Sequence, residues 1–226
     1  MTDPTQKFSD DERRGVYRAI YERRDVRSQF LPDPVPDEVL RRILDAAHHA
    51  PSVGFMQPWD FIVIRDRAVR QEVHRNFDAA SRRAAEAYEG GRRKLYDGLK
   101  LAGIVDAPVN ICVTCDPERA RGNGLGRQSD PSVALYSAVC AVQNLWLAAR
   151  AESLGVGWVS ILDFDQLRST LGIPAHLTLV AYLCVGYVSE FRPQPDLEEK
   201  GWEVRSPLAE VTHYERWGVR ERGAQE

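Results

Sequence analysis

The sequence predicts one domain in which helices alternate with short, apolar strands. Three observations predict it. The 226 residues suffice for one large domain and contain no internal repeat, low-complexity tract or domain-separating linker. Segments with apolar residues at helical spacing are interrupted by short apolar runs, FIVI, VNICVTC and LTLVAYLCVGYV, each bounded by turn residues. Hydrophobic residues make up 43% and charged residues 28%, an ordinary soluble balance.

The elements follow in order. Ser9 can cap a first helix running to about Arg23, with Asp10, Asp11 and Glu12 in its first turn and Val16, Tyr17 and Ile20 as its apolar stripe. The prolines of FLPDPVP cannot continue it. A second helix spans Asp37 to His49, with Val39, Leu40, Ile43 and Leu44 on one face, and Pro51 stops it. After the loop PSVGFMQPW comes the strand FIVI, then a long polar helix from about Asp66 to Tyr88. In EGGRRKLYDGLKLAGI, Gly90 and Gly91 break that helix, and Tyr96, Leu99 and Leu101 dot a basic surface. Its composition favours a solvated helix–loop connection, with a glycine-hinged lid as the alternative.

APVNICVTC is a strand, and GNGLGR (122–127) reads as a surface loop. Its G-x-G-x-G spacing is not the dinucleotide fingerprint, and it does not join a strand to a helix. Asp130 and Pro131 start a long helix to about Ser153, closed by Gly155. Its VCAVQNLWLAA is apolar on nearly every side, which predicts burial in a core or a subunit interface. Gln143 and Asn144 then need partners. GVGWVSI is a strand, Phe164 to Leu171 a short helix, and LTLVAYLCVGYV the last strand. The tail from Ser189 carries Trp202 and Trp217, aromatics large enough to favour packing on a second subunit.

Charge and cysteine usage narrow the function. Thirty basic and thirty-three acidic residues leave a net charge of −3, so nucleic acid and membrane are not expected partners and any anion site is local. The polar opening MTDPTQKFSDDERR lacks a signal-peptide core, and the expected compartment is cytoplasmic. Cys112 and Cys115 form a CxxC inside a strand, where positions three apart face opposite ways. Cys140 and Cys184 lie in apolar runs as small hydrophobes. No metal is expected.

Three segments carry polar chemistry. RRDVRSQF (23–30) puts three arginines around Asp25. It reads either as cations at a helix end or as a seat for an anionic ligand, since guanidinium forks suit phosphate. In PSVGFMQPW, Ser52 and Gly54 let the backbone approach a flat ligand closely. In GWVSI, Ser160 stands in an apolar strand, with no Ser–His–Asp set around it. By themselves these residues indicate a phosphorylated, flat, mostly apolar ligand.

RRDVRSQF resembles the R-R-S-x-R-x-F opening of the FMN-dependent nitroreductase superfamily. APSVGFMQPWDFIVI resembles its A-P-S-x-x-N-x-Q-P-W segment, and CAVQNLWLAARAESLGVGWVSI its central helix, turn and strand. The ordered set covers about Arg13 to Arg220. Asp25 in place of serine, Phe55 in place of asparagine, and GWVSI resemble one branch, which consumes flavin to form 5,6-dimethylbenzimidazole. That resemblance implies a three-layer α+β fold with a mixed, largely antiparallel sheet between helices. It implies a single domain over 1–226, with a lid at about 86–104 and a dimer-embracing tail at about 189–226. The activity it implies is oxygen-dependent fragmentation of reduced FMN to 5,6-dimethylbenzimidazole, the lower ligand of cobalamin, and erythrose 4-phosphate.

The implied catalytic residues are Asp25, as proton acceptor, and Ser160. Arg23, Arg24, Asp25, Val26, Arg27, Ser52, Gly54, Leu99, Ser160 and Arg205 would bind FMN. Dioxygen is the implied co-substrate, and the partners are a second copy of the chain and a separate NAD(P)H-dependent flavin reductase. An NAD(P)H-dependent nitro- or quinone reductase of the same superfamily and a non-catalytic flavin-binding protein are the alternatives.

Overall fold

A computed structural model describes residues 7–220; the start of the polar N-terminal stretch (1–6) and the end of the expected tail (221–226) lie outside the described residues. The chain divides into two compact units between Pro193 and Gln194.

In the first unit, α1 (Asp10–Glu22) starts at the expected cap. Glu12 N–H donates to Ser9 Oγ at 3.3 Å, and Ser9 N–H donates to Glu12 Oε2 at 2.7 Å, a reciprocal box that satisfies two otherwise orphaned donors. The stripe Val16, Tyr17 and Ile20 does not enter the core, because α1 stands outside the sheet layers and all three stay exposed. α2 (Asp37–His48) buries Val39, Leu40, Ile43 and Ala47, one face at helical spacing.

Four strands form one sheet: β1 (Trp59–Ile64), β2 (Val109–Cys115), β3 (Leu154–Val159) and β4 (Thr178–Tyr187), in the order β1-β2-β4-β3. Every pair is antiparallel. β2 is buried along its whole length, as an inner strand covered on both faces must be. α2 and α5 (Val133–Ala151) cover one face, where Ile43, Ala141 and Leu145 share a core with Ile111, Val113 and Leu183. α3 (Arg67–Ala85) and α6 (Phe164–Leu171) lie in the other core, where Val73 and Leu167 join Cys112, Tyr182 and Cys184. The three-layer α+β reading therefore holds. The pleat puts Cys115 in the first core and Cys112 in the second, so the CxxC sulfurs diverge as expected.

Several expectations are corrected. α5 is not buried all round: Tyr136, Val139, Cys140 and Gln143 form an exposed stripe, with Tyr136 57% exposed. Gln143 therefore needs no internal partner, while Asn144 Nδ2 donates to Ala46 O at 3.2 Å. Gly155 does not close α5, which ends at a Glu152 cap followed by Ser153 at φ 62; Gly155 lies inside β3. Gly90 opens α4 (Gly90–Asp97) instead of ending helical structure, and Tyr96 turns inward, stacked on Tyr88.

The second unit holds α7 (Asp196–Glu199) and α8 (Leu208–Val211). Its Trp217 is 90% exposed and lies against the His213 ring, and Trp202 is partly buried.

Candidate active site

The arginine cluster begins at a helix end, with Arg23 as the C-cap of α1 and Arg24 donating to the Tyr21 and Arg23 carbonyls, and it continues beyond it. α1 has no basic residue in its last turn, and Arg23 is already extended at φ −60, ψ 136. From there the chain runs along the free edge of β3. Asp25 forms a parallel bridge with Val156, and Val26 N–H donates to Val156 O at 3.0 Å. Farther on, Phe30 bridges Val188, and Leu31 N–H donates to Tyr187 O at 2.8 Å. The parallel bridge makes the otherwise antiparallel sheet mixed.

This edge fixes the Asp25 carboxylate. Oδ1 accepts the Trp158 main-chain N–H at 2.9 Å, and Oδ2 accepts Arg27 Nη2 at 2.5 Å. Enclosure by protein pushes the Asp25 carboxyl above the ordinary carboxylate range, against Arg27, the Trp158 N–H and Arg23, which favour ionisation. Its side chain nevertheless keeps 30% of its surface open, against 14% for Arg27. A carboxylate walled on most sides with one open face holds a proton more readily than a surface aspartate and stays reachable.

The other arginines are held beside it. Arg23 lies over the Trp146 ring at 4.7 Å, and Trp146 Nε1 donates to Arg24 O at 3.2 Å. Arg24 Nη1 donates to Tyr21 O and Arg23 O, each at 2.8 Å, and Nη2 donates to Pro193 O. The Nε groups of Arg24 and Arg27 are buried with no partner among the described residues. Val26 is buried, so its contribution here is its main chain.

The second segment is a strained turn. Gly54 (φ 53), Phe55 (φ 55) and Gln57 (φ 50) all take left-handed conformations, and Phe55 is 70% exposed. Ser52 Oγ accepts Gln57 N–H at 3.1 Å, and Val53 N–H donates at 3.1 Å to Ser137 Oγ of α5. The close approach at Gly54 is made by protein: a Cβ there would lie 2.6 Å from Leu125 O. The GNGLGR loop thus packs on this turn.

Ser160 differs from its expected setting. It stands one residue beyond β3 and is exposed, outside the apolar strand in which the sequence set it. It follows by two positions Trp158, whose N–H donates to Asp25. Leu99 lines a cavity of about 350 Å³ between α3 and α4, with Phe77, Arg93 and Tyr96; Asp25 and Ser160 do not line it. Arg205 belongs to the second unit and is exposed. Sequence reading missed Trp146 and the Trp158 main chain. Both stood in the quoted segments LWLAA and GVGWVSI, but only the fold brings their rings to 6.3 Å.

Residues 20–187 match the model of the nitroreductase family. Over 200 residues the chain is 42% identical to 5,6-dimethylbenzimidazole synthase of Rhodospirillum rubrum, covering 88% of this chain and 94% of that protein. The synthase of the same name from Rhodobacter capsulatus is 41% identical over 201 residues, covering 88% and 96%. Among solved structures, oxidised iodotyrosine deiodinase bound to FMN and 3-iodo-L-tyrosine matches with a TM-score of 0.67 at 24% identity, over 79% of this chain and 92% of that one. The chain belongs to the nitroreductase family.

Proposed function

We propose that this chain fragments reduced FMN with dioxygen, forming 5,6-dimethylbenzimidazole and erythrose 4-phosphate. The observation that carries the reading is the 42% identity to a 5,6-dimethylbenzimidazole synthase across 88% of the chain. The residues fit a flavin phosphate and ribityl chain. Three guanidinium groups stand within five residues around Asp25, with Arg27 Nη2 held on its Oδ2, and such forked donors suit an oxygen-rich anion.

Bound reduced FMN supplies the electrons taken up by dioxygen and the ring carbons of the product. Arg23, Arg24 and Arg27 hold phosphate and ribityl oxygens, and the Val26 main chain and Ser52 line the flavin. Asp25 is the proton acceptor: its raised affinity for a proton suits a base, and Arg27 at Oδ2 steadies the ionised form. Ser160 donates a hydrogen bond beside the reacting ring.

A homodimer completes the proposal. The exposed apolar stripes of α1 (Val16, Ile20) and α5 (Tyr136, Val139) suit burial against a second copy, and the tail 189–226, with its exposed Leu208 and Trp217, embraces that copy. A separate NAD(P)H-dependent reductase supplies the reduced flavin in the cytoplasm. Among the described residues no helix is long and apolar enough to cross a membrane.

The test mixes protein with chemically reduced FMN without oxygen, admits air, and seeks 5,6-dimethylbenzimidazole by chromatography and mass. A parallel cuvette holds oxidised FMN and NAD(P)H without reductase. Product in the first and little pyridine-nucleotide oxidation in the second is expected. No product, with brisk NAD(P)H oxidation, overturns the reading in favour of a reductase.

A further inference from the structure

Along a parallel edge the rungs repeat: once Val26 N–H has donated to Val156 O, the next rung should carry Trp158 N–H to Val26 O. It does not. Trp158 N–H donates to the Asp25 side chain, at 2.9 Å from Oδ1. The Val26 carbonyl lies instead over Gly157, with its oxygen 2.1 Å and its carbon 3.2 Å from where a Cβ would stand. Across the sheet Gly157 pairs with Cys184, another small residue.

We propose that Gly157 is a positioning residue for Asp25, because its missing Cβ lets the Val26 carbonyl slide over β3 and leaves the Trp158 N–H to the Asp25 carboxylate. An alanine at 157 needs that carbonyl oxygen to move from 2.1 Å to at least the 3.4 Å of ordinary contact. The atom in the way is main chain, so no rotamer change relieves it. Gly155, two residues earlier, is the contrast. A Cβ there meets side-chain atoms and no carbonyl: Val188 Cγ1 at 2.4 Å, Val26 Cγ2 at 3.0 Å and Val26 Cβ at 3.3 Å.

The inference rests on the reading of Asp25 as proton acceptor. The charged or titratable groups around Asp25 are Arg27 and Arg23 on its own segment and Cys184 from β4. The Trp158 N–H favours the ionised carboxylate, so its loss shifts the acidic limb of the turnover profile to higher pH.

The experiment uses protein labelled with ¹⁵N in its five tryptophans, free and FMN-loaded. In the unmodified chain the Trp158 amide proton should shift with the titration of Asp25, and that titration should vanish in Asp25→Asn. Gly157→Ala should lose the titration, keep FMN binding within roughly threefold, lower kcat by roughly tenfold or more, and move the acidic limb upward. Gly155→Ala should keep the titration and the pH profile. A Trp158 amide that is flat across pH in the unmodified chain overturns the proposal, even if Gly157→Ala fails to fold. So does Gly157→Ala with unchanged titration and turnover. An unmodified chain that makes no dimethylbenzimidazole but shows the amide titration sinks the proposed function alone.

Discussion

Replacing Asp25 by asparagine and by alanine separates its chemical role from its structural one. Asparagine keeps an oxygen where Oδ1 accepts the Trp158 N–H at 2.9 Å, but it cannot take a proton. Alanine also removes the acceptor, leaving a main-chain donor unpaired at a cost of about 1–3 kcal/mol. The Arg27 pair is lost in both, and because Asp25 keeps 30% of its side-chain surface, that loss is put at only about 1 kcal/mol. Asp25→Asn should therefore fold to within about 1 kcal/mol of the original, with Asp25→Ala about 1–3 kcal/mol below it. Turnover should fall by about 100- to 10,000-fold in both, or about 2.7–5.4 kcal/mol of barrier, the usual worth of a positioned base.

The pH dependence of stability adds a sign test. Asp25 binds its proton more tightly in the folded chain than at the ordinary value of 3.8, so the fold loses stability as pH rises from there through the raised value. Asp25→Asn lacks this slope and should gain on the original over the same window. The assays are product formation by chromatography, FMN fluorescence titration and denaturant unfolding at several pH values. Asp25→Asn with full turnover would refute the assignment of Asp25 as the proton acceptor.

Three other perturbations test the frame around the site. Ser137→Ala removes the hydroxyl that accepts Val53 N–H at 3.1 Å and donates to Val133 O at 2.7 Å, and should cost about 1–3 kcal/mol and loosen the 51–58 turn. Faster hydrogen exchange at Val53 checks it; unchanged exchange refutes the clamp. Tyr182→Phe strands buried Asn110 Oδ1, which now accepts the phenol at 2.9 Å, and should lower the denaturant midpoint by an amount equivalent to about 1–3 kcal/mol. A fully stable variant would mean that the pair contributes nothing. Val139→Glu puts a charge on the exposed stripe of α5 and should shift the proposed dimer to monomer by light scattering; a persistent dimer places the interface elsewhere.

Sequence by itself determined what depends on short-range periodicity and local chemistry. Ser9 with the acids after it located the start of α1, the spacing of Val39, Leu40 and Ile43 located the buried face of α2, and alternation along VNICVTC sent Cys112 and Cys115 into different cores. The ordered motifs also carried the family. Tertiary structure alone decided what depends on which surfaces meet. Apolarity around α5 could not say which stripe its own sheet would leave open, because burial is set by neighbours and not by composition. Gly155 looked like a helix stop, since a glycine after a helix and a glycine in a crowded strand read alike until Val26 and Val188 are seen against it. RRDVR could be named as a candidate anion seat. That its aspartate would take a main-chain N–H from β3, 133 residues away along the chain, follows only once a sheet edge exists for it to join.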